Sequence, residues 1–256
     1  QSGLSNVKIE YTTDNGTNWM TIASSISAAL GTYSWTVPNL PSTGCKIRIS
    51  DVTNNLIYDN SNSTFTIASL ALTSPNGGEN FLEGSSHSIT WTSTNVSNVK
   101  IDYSIDGGST YNAVIASTSA STGSYTWTVP AGTSASNCLI KISDVSYSAI
   151  TDESDLAFSI SDLDLTSPTV GLVWQGETVH NITWTSTNIS NVKIDYTTNN
   201  GSTWIAVVSS TPAASGAYSW TVPNTPAINL CRVRISDFAY QSNYVTSSLF
   251  TIEPVP

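Results

Sequence analysis

Apolar and polar residues alternate along short stretches of this chain, and the same stretches return. Val7, Ile9 and Tyr11 alternate with Lys8, Glu10 and Thr12, a period of two that predicts a strand with one buried face. The pattern recurs at Val99, Ile101 and Tyr103 and again at Val192, Ile194 and Tyr196. Each copy runs into a turn triplet, Asp14-Asn15-Gly16, Asp106-Gly107-Gly108 or Asn199-Asn200-Gly201, whose Gly and Asn suit the positive φ that a tight hairpin needs. The returning strand is predicted to start at Trp19, Tyr111 or Trp204 and to run through Ile22, Val114 or Val207. A small-residue loop then leads to Tyr33-Ser34-Trp35-Thr36-Val37-Pro38, repeated as Tyr125–Pro130 and Tyr218–Pro223. Tyr, Trp and Val point one way there, and the proline ends the ladder. A cysteine strand ending in Ser-Asp follows, then a variable loop, then Phe65-Thr66-Ile67, Phe158-Ser159-Ile160 or Phe250-Thr251-Ile252.

The longest repeated stretch, Ile89–Tyr103 against Ile182–Tyr196, fixes the architecture before any local reading does. Leu70–Pro75 through Trp91, and Leu163 through Trp184, supply two further strands to the second and third copies, and the first copy has no counterpart of them. Seven or so short strands per copy, closely spaced turns and no helical period predict an all-β chain of tandem immunoglobulin-like antiparallel β-sandwiches. The expected units are a partial repeat at 1–69 lacking its first two strands, complete repeats at 70–161 and 162–253, and the start of a linker at 254–256. Trp91 and Trp184 fall in phase with Ile89 and Ile182 and are placed in the core. Only Ala68-Ser69 and Ser161-Asp162 separate one unit from the next, so an elongated, semi-rigid rod of roughly 100 Å is expected from strand rise alone.

Composition narrows the setting. Only 10% of the 256 residues are charged, yet there are eight Trp and eleven Tyr, which is not a disordered composition. A net charge of −10 argues against nucleic acid as a partner. The same acidic balance suits an extracellular, secreted or surface-attached protein; no apolar run is long enough for membrane insertion and no signal peptide is read at Gln1, so a mature or excised segment is expected. Cys45, Cys138 and Cys231 recur at 93-residue intervals, one per unit. Equivalent positions in separate units cannot pair within a unit, and each is read as a buried thiol in a core.

The string Leu72-Thr73-Ser74-Pro75-Asn76-Gly77-Gly78-Glu79, then Gly84, Ile89-Thr90-Trp91, Asp106-Gly107-Gly108, Ser124–Pro130, Ile142-Ser143-Asp144 and Phe158-Ser159-Ile160 resembles the immunoglobulin-like repeat of the Ser-Thr-rich GPI-anchored membrane protein family. That repeat is similar to the N-terminal domain of fungal cell-wall β-glucan assembly proteins and occurs in long secreted bacterial proteins, often of the Bacteroidetes type. The resemblance implies the sandwich fold and an extracellular setting, and is nearly silent on activity. The third unit departs from it at Thr169-Val170-Gly171-Leu172, which alters one turn.

No nucleophile elbow, zinc-protease helix, paired-cysteine metal spacing or phosphate loop is present, so no enzyme is expected. All eight basic residues fall on two strands of the unit, with Glu10, Asp102 and Asp195 on the first, which predicts cross-strand ion pairs on a solvated face. His87 and His180 are read as half-buried structural residues. Two weaker patterns concern ligands. Trp19, Tyr111 and Trp204 lie out of phase with the core, and Tyr58, Tyr147, Tyr240 and Tyr244 sit in the variable loop; exposed rings hold sugar faces by apolar contact. Asp152, Glu153, Asp155, Asp162, Asp164 and Glu177 gather near the second junction, where a calcium ion with its many oxygen ligands is conceivable. No other cofactor is expected. The expected function is a non-catalytic structural or adhesive stalk whose partners are other repeats of the same chain or neighbouring chains. The alternatives are a carbohydrate-binding array recognising cell-surface, plant or microbial polysaccharide, and a filament subunit completed by strand donation between chains.

Overall fold

The computed structural model describes residues 3–255. The first unit contributes β1 (Asn6–Thr12), β2 (Met20–Ser27), β3 (Ser42–Asp51), β4 (Tyr58–Asn60) and β5 (Phe65–Ile67). The second contributes β6 (Ser69–Ser74), β7 (Asn80–Leu82), β8 (Ser86–Thr94), β9 (Asn98–Ser104), β10 (Asn112–Ser119), β11 (Ser124–Thr128), β12 (Ala135–Asp144), β13 (Thr151–Glu153) and the first part of β14 (Phe158–Ser167). The third continues with β15 (Val173–Gln175), β16 (Val179–Thr187), β17 (Asn191–Thr197), β18 (Ile205–Pro212), β19 (Ala217–Thr221), β20 (Ala227–Asp237), β21 (Tyr244–Thr246) and β22 (Phe250–Glu253).

In the second unit the sheet β11-β8-β6 lies over β10-β9-β12-β14, with β13 against β12 and β7 parallel to β14. The third unit repeats this, with β15 parallel to β22 and β14 itself serving as the outer strand beside β16. The chain is an all-β, immunoglobulin-like sandwich array, as the alternation predicts. Each core follows the period-two pattern: Ile89, Ile101, Ile140, Ile142, Cys138 and Ile160 in one unit, and Ile182, Ile194, Val233, Ile235, Cys231 and Ile252 in the other, all have no exposed surface. Trp91 and Trp184, 3% exposed, donate their indole N–H to the carbonyls of Ala120 and Ala213 at 2.9 and 2.8 Å, which settles the one polar atom that burying a tryptophan would orphan. Those carbonyls sit on single 3-10 turns closed by Gly123 and Gly216 at φ 65 and 63°, where a side chain would be strained.

Two expectations need correction. The boundary placed between 161 and 162 falls inside β14, whose Phe158–Ile160 end pairs with β12 and whose Asp162–Ser167 end pairs with β16. One strand thus belongs to both units, the backbone staying extended through Ser161-Asp162 while the apolar phase shifts from Phe158 and Ile160 to Leu163 and Leu165. Second, Tyr33–Pro38 forms no strand, although Tyr125–Thr128 and Tyr218–Thr221 do in their units. The reason is tertiary: β11 and β19 pair with β8 and β16, and among the described residues the first unit has no counterpart of either partner. The hairpin turns are as predicted, with Asn15, Gly16, Gly107, Gly108, Asn200 and Gly201 all at positive φ. Beyond β22, Pro254 and Val255 are irregular, and the rest of the expected linker, like Gln1 and Ser2, lies outside the described residues.

Candidate functional site

The face outside β1–β3, β9–β12 and β17–β20 carries the same construction three times. In the first unit Glu10 receives Arg48 at 2.8 Å from across the strands and Lys8 from its own strand, and the Arg48 guanidinium lies 4.3 Å from the Trp19 ring centroid. In the third, Asp195 receives Lys193 at 3.1 Å and Arg234 at 2.9 Å, while Arg234 stacks on Trp204 at 4.4 Å. The second unit substitutes weaker parts: Lys100 meets Asp102 at 2.9 Å, Lys141 lies 5.0 Å from the Tyr111 ring, and the Tyr111 hydroxyl donates to Glu153 at 2.5 Å.

The cross-strand pairs foreseen from sequence are therefore present in the first and third units, but the face is not a solvated one at the carboxylates. Glu10, Asp102 and Asp195 are 5, 7 and 2% exposed, because the neighbouring aromatic ring and the basic stems close over them. Burial pushes the Glu10 carboxyl up, but hydrogen bonds from Lys8 and Arg48 outweigh it and hold the group below its ordinary value. Burial and the Glu153 carboxylate push the Tyr111 phenol well above its ordinary range.

Trp19, Tyr111 and Trp204 are all half-buried and already engaged, Trp19 also donating its indole N–H to the Gly16 carbonyl at 3.0 Å. The loop tyrosines are not gathered with them into one surface. Tyr58 and Tyr147 are 57 and 70% exposed. Tyr244 leans over Arg234 at 5.6 Å, so the third unit alone brings two candidate rings, Trp204 and Tyr244, to one guanidinium. Tyr240 belongs to the joint instead: its hydroxyl donates to the Gly78 carbonyl at 3.0 Å.

The junction acids are dispersed. Asp152 accepts the Leu72 N–H, Glu153 the Tyr111 hydroxyl, and Asp155 the Asn76 side-chain amide. Asp162 and Asp164 lie on β14, and Glu177 holds a left-handed turn at φ 64°. Among the described residues no three His, Cys, Asp or Glu side chains are grouped so as to hold a metal ion. Burial, helped by Glu83 and Asp164, raises the Asp162 carboxyl. Glu83 itself is pushed up by burial but held low by the Ser134 hydroxyl and by the N–H groups of Gly132, Ser134 and Thr133.

The three cysteines are free and fully buried, as read from sequence, and burial pushes the Cys138 thiol up to about 11. His87 and His180 are half-buried, stacked on Phe81 and Trp174 at 3.9 and 4.8 Å and hydrogen-bonded to Ser85 and Thr178, again as expected.

One feature escaped the sequence reading. The joint between the second and third units is clamped by Asn188, whose side chain donates to the Ile160 carbonyl at 2.9 Å, and by Asn243, which donates to the backbone and side-chain oxygens of Asn80, both at 2.9 Å. Asn95 makes the equivalent bond to Ile67 at the first joint. Both Asn95 and Asn188 sit at φ 59°; the Asn repeated after Thr in the two complete copies was the available signal. The open core expected of a first unit lacking two strands is present as a groove of about 840 Å³, lined by Ile9, Ile26, Ala28, Trp35, Ile47 and Ile49 among others.

No family model matches the chain, and no curated protein matches it. Among solved structures it is similar to the FN1–FN3 domains of chicken CNTN1, at 14% identity over 97% of this chain and 89% of that one, with a TM-score of 0.33. A three-domain immunoglobulin segment of titin is similar at 8% identity over 98 and 88%, TM-score 0.32. The fibronectin(III)-like modules of Clostridium thermocellum CbhA are similar at 20% identity over 72 and 93%, TM-score 0.27. At such TM-scores these likenesses decide nothing about function, and the sandwich is read from the strand pairing itself. No helix of the described residues is long and apolar enough to cross a membrane.

Proposed function

We propose that this chain is a non-catalytic stalk segment, structural or adhesive, of a secreted or cell-surface protein, and that its job is reach. The observation that carries the reading is β14, a single strand hydrogen-bonded into two successive sandwiches. A flexible tether would place Gly, Ser or Pro runs at that point; here the backbone passes from one sheet to the next without leaving β geometry, and Asn188, Asn243 and Tyr240 fasten the flanks. The aromatic rings, which a sugar-binding surface would leave free, are mostly spent on arginine and lysine. The family resemblance in the repeat motifs agrees with an extracellular setting.

Small-angle scattering of the full chain tests it. An elongated monomer with a largest dimension of roughly 100 Å, the sum of three strand-length units, is the expected result, and a compact particle would overturn the stalk. A polysaccharide pull-down beside a Trp204→Ala variant is expected to retain neither protein. Retention of the parent alone would replace the stalk by a carbohydrate-binding array.

A further inference from the structure

A stalk carries load along its chain, and the strand order fixes where that load falls. Tension enters the second unit through β6 and leaves along β14; it enters the third through the far end of β14 and leaves along β22. The next strand in line, β7 or β15, lies parallel to the strand of exit, β7 on residues 159–161 and β15 on residues 251–253. Pulling on the start of one strand and the end of a parallel neighbour slides the two past each other, so all bonds between them bear load together and none is peeled singly. Forced unfolding is a matter of rate, set by what must break before the unit opens.

The backbone part of that barrier is alike in both units. The N–H groups of Gly78, Ser159 and Glu83 reach the carbonyls of Ala157, Glu79 and Ser161 at 2.9–3.0 Å, and those of Gly171, Thr251 and Gly176 reach Leu249, Leu172 and Glu253 at 2.9–3.2 Å. The side chains differ. In the second unit the Asn76 amide donates to the Asp155 carboxylate at 2.7 Å and accepts the Asp155 N–H at 2.8 Å. Asn80 donates to Ser159 on the exit strand at 2.9 Å and accepts from Ser161 at 3.0 Å. Asp152 accepts the Leu72 N–H at 2.7 Å, and the Ser154 hydroxyl donates to the Pro75 carbonyl at 2.8 Å. Just past β7, Glu83 accepts the N–H groups of Gly132, Thr133 and Ser134. Gly77 lets the segment sit this close, since a Cβ there would collide with that of Leu156. In the third unit Thr169, Val170, Val173, Val245 and Gly176 stand at the positions of Asn76, Gly77, Asn80, Asp152 and Glu83. Among the described residues no side-chain hydrogen bond joins residues 169–176 to β20, β21 or β22, and the pairing is by backbone alone.

We propose that the two complete units are graded for load: under tension the third opens first and lengthens the chain, while the second holds as a latch. The inference rests on the stalk reading and adds to it a division of labour between units of the same fold. The grading is separate from stability at rest, because the third unit's ion triad ties β17 to β20 and lies off the loaded pair. Opening of the third unit also has a built-in stop. Sliding of β15 against β22 frees β14 from β16, but the Phe158–Ile160 end of β14 is held by β12 in the second unit. The length released is therefore that of one unit.

The test holds the full chain by handles at its two ends and stretches it at constant tension in optical tweezers, where two long extension steps are expected, one from each complete unit. Placing the third unit's residues in the second, Asn76→Thr together with Glu83→Gly, identifies the steps without further markers. Those residues are accepted at the same places in a folded sandwich, and circular dichroism checks that the variant folds. Asn80 is left alone because it also receives Asn243 across the joint. The double variant loses the Asp155 bonds and the Glu83 cradle, so the later step is expected roughly tenfold sooner at a given tension, with the earlier step unchanged. Asp102→Asn, on β9 and away from the loaded strands, should leave both steps close to the parent. Movement of the earlier step by the double variant would mean that the second unit yields first. Movement of neither would mean that these side chains bear no load, and a single joint step would mean that the units are not graded; each of the three overturns the proposal. An equal shift by Asp102→Asn would make yielding a measure of general stability and overturn it too. A compact particle in scattering would instead remove the stalk without touching the order of the steps, so the two failures are told apart.

Discussion

Replacing Asp195 by Asn keeps the shape of the third unit's ion triad and removes its centre. Asp195 is 2% exposed and receives Lys193 at 3.1 Å and Arg234 at 2.9 Å. Removing one partner of a fully buried pair costs about 3–5 kcal/mol, since the remaining charge is left without water or partner. Here the Lys193 and Arg234 side chains are 27 and 24% exposed, so both cations recover part of their hydration, and the cost is expected nearer ~2 kcal/mol. Asp102 is the internal control. It meets one cation, Lys100, whose side chain is 47% exposed, and Asp102→Asn is expected to cost no more than about 1 kcal/mol. Native-state hydrogen exchange in the full chain resolves the units separately. Slowly exchanging amides of β17 and β20 should exchange roughly 30-fold faster in Asp195→Asn, the equivalent of ~2 kcal/mol. Those of β9 and β12 should change less than about fivefold in Asp102→Asn. Equal effects in the two units would refute the view that the second basic residue and the aromatic lid give the triad its weight.

Three further outcomes follow from the same geometry. Because the folded Glu10 carboxyl lies below its ordinary value of 4.5, its contribution is fully present above that pH and is lost as the pH falls through the lowered folded value. The difference in β1 protection between the parent and Glu10→Gln should therefore vanish with acidification, and a difference that grew would contradict the sign. Asp162 is raised, first by burial and then by Glu83 and Asp164, so its ionisation opposes folding above its folded value. Asp162→Asn should raise the Tm at neutral pH by the equivalent of about 1 kcal/mol or less, and a lower Tm would show that the carboxylate is needed at the joint. Cys138 and Cys231 should resist thiol reagents at pH 8 until their units unfold, whereas Cys45, equally buried but beneath an open core, should label first. Mass spectrometry of the labelled peptides reads the order, and simultaneous labelling would mean the first unit is as well closed as the others.

Much of this was legible in the alternation, and the exceptions have a common cause. Period two placed Ile101, Cys138, Ile142 and Trp91 inside without help from tertiary information, because burial of one sheet face is a local property of the pattern. The fate of Glu10, Asp102 and Asp195 was not local. Their phase points them outward, and only the aromatic ring from the next strand, folded over Arg48, Lys141 or Arg234, takes them out of water. The junction acids failed in the opposite way: nearness in sequence suggested a cluster, but Asp152, Glu153 and Asp155 are each claimed by a different neighbour, and Asp162 and Asp164, two apart on one face of β14, meet as like charges that help to raise the Asp162 carboxyl. The clamps Asn188 and Asn243 could be seen as repeated or loop residues, but their partners on the preceding unit could not.

The three copies of Tyr-x-Trp-x-Val-Pro separate intrinsic preference from context. The letters at Tyr33–Pro38 match those at Tyr125–Pro130 and Tyr218–Pro223 in every apolar position, and only the last two are strands. Strand propensity is therefore not what makes β11 and β19; a paired partner and a covered face are. The same dependence passes along the chain. β14 is the closing strand of one sandwich and the opening strand of the next, so the second unit presents the third with a preformed first strand, while β5 and β6 are divided at Ala68. Order is thus handed forward through the second joint by one continuous strand, whereas the first joint is fastened by the Asn95 side chain donating to the Ile67 carbonyl across the break.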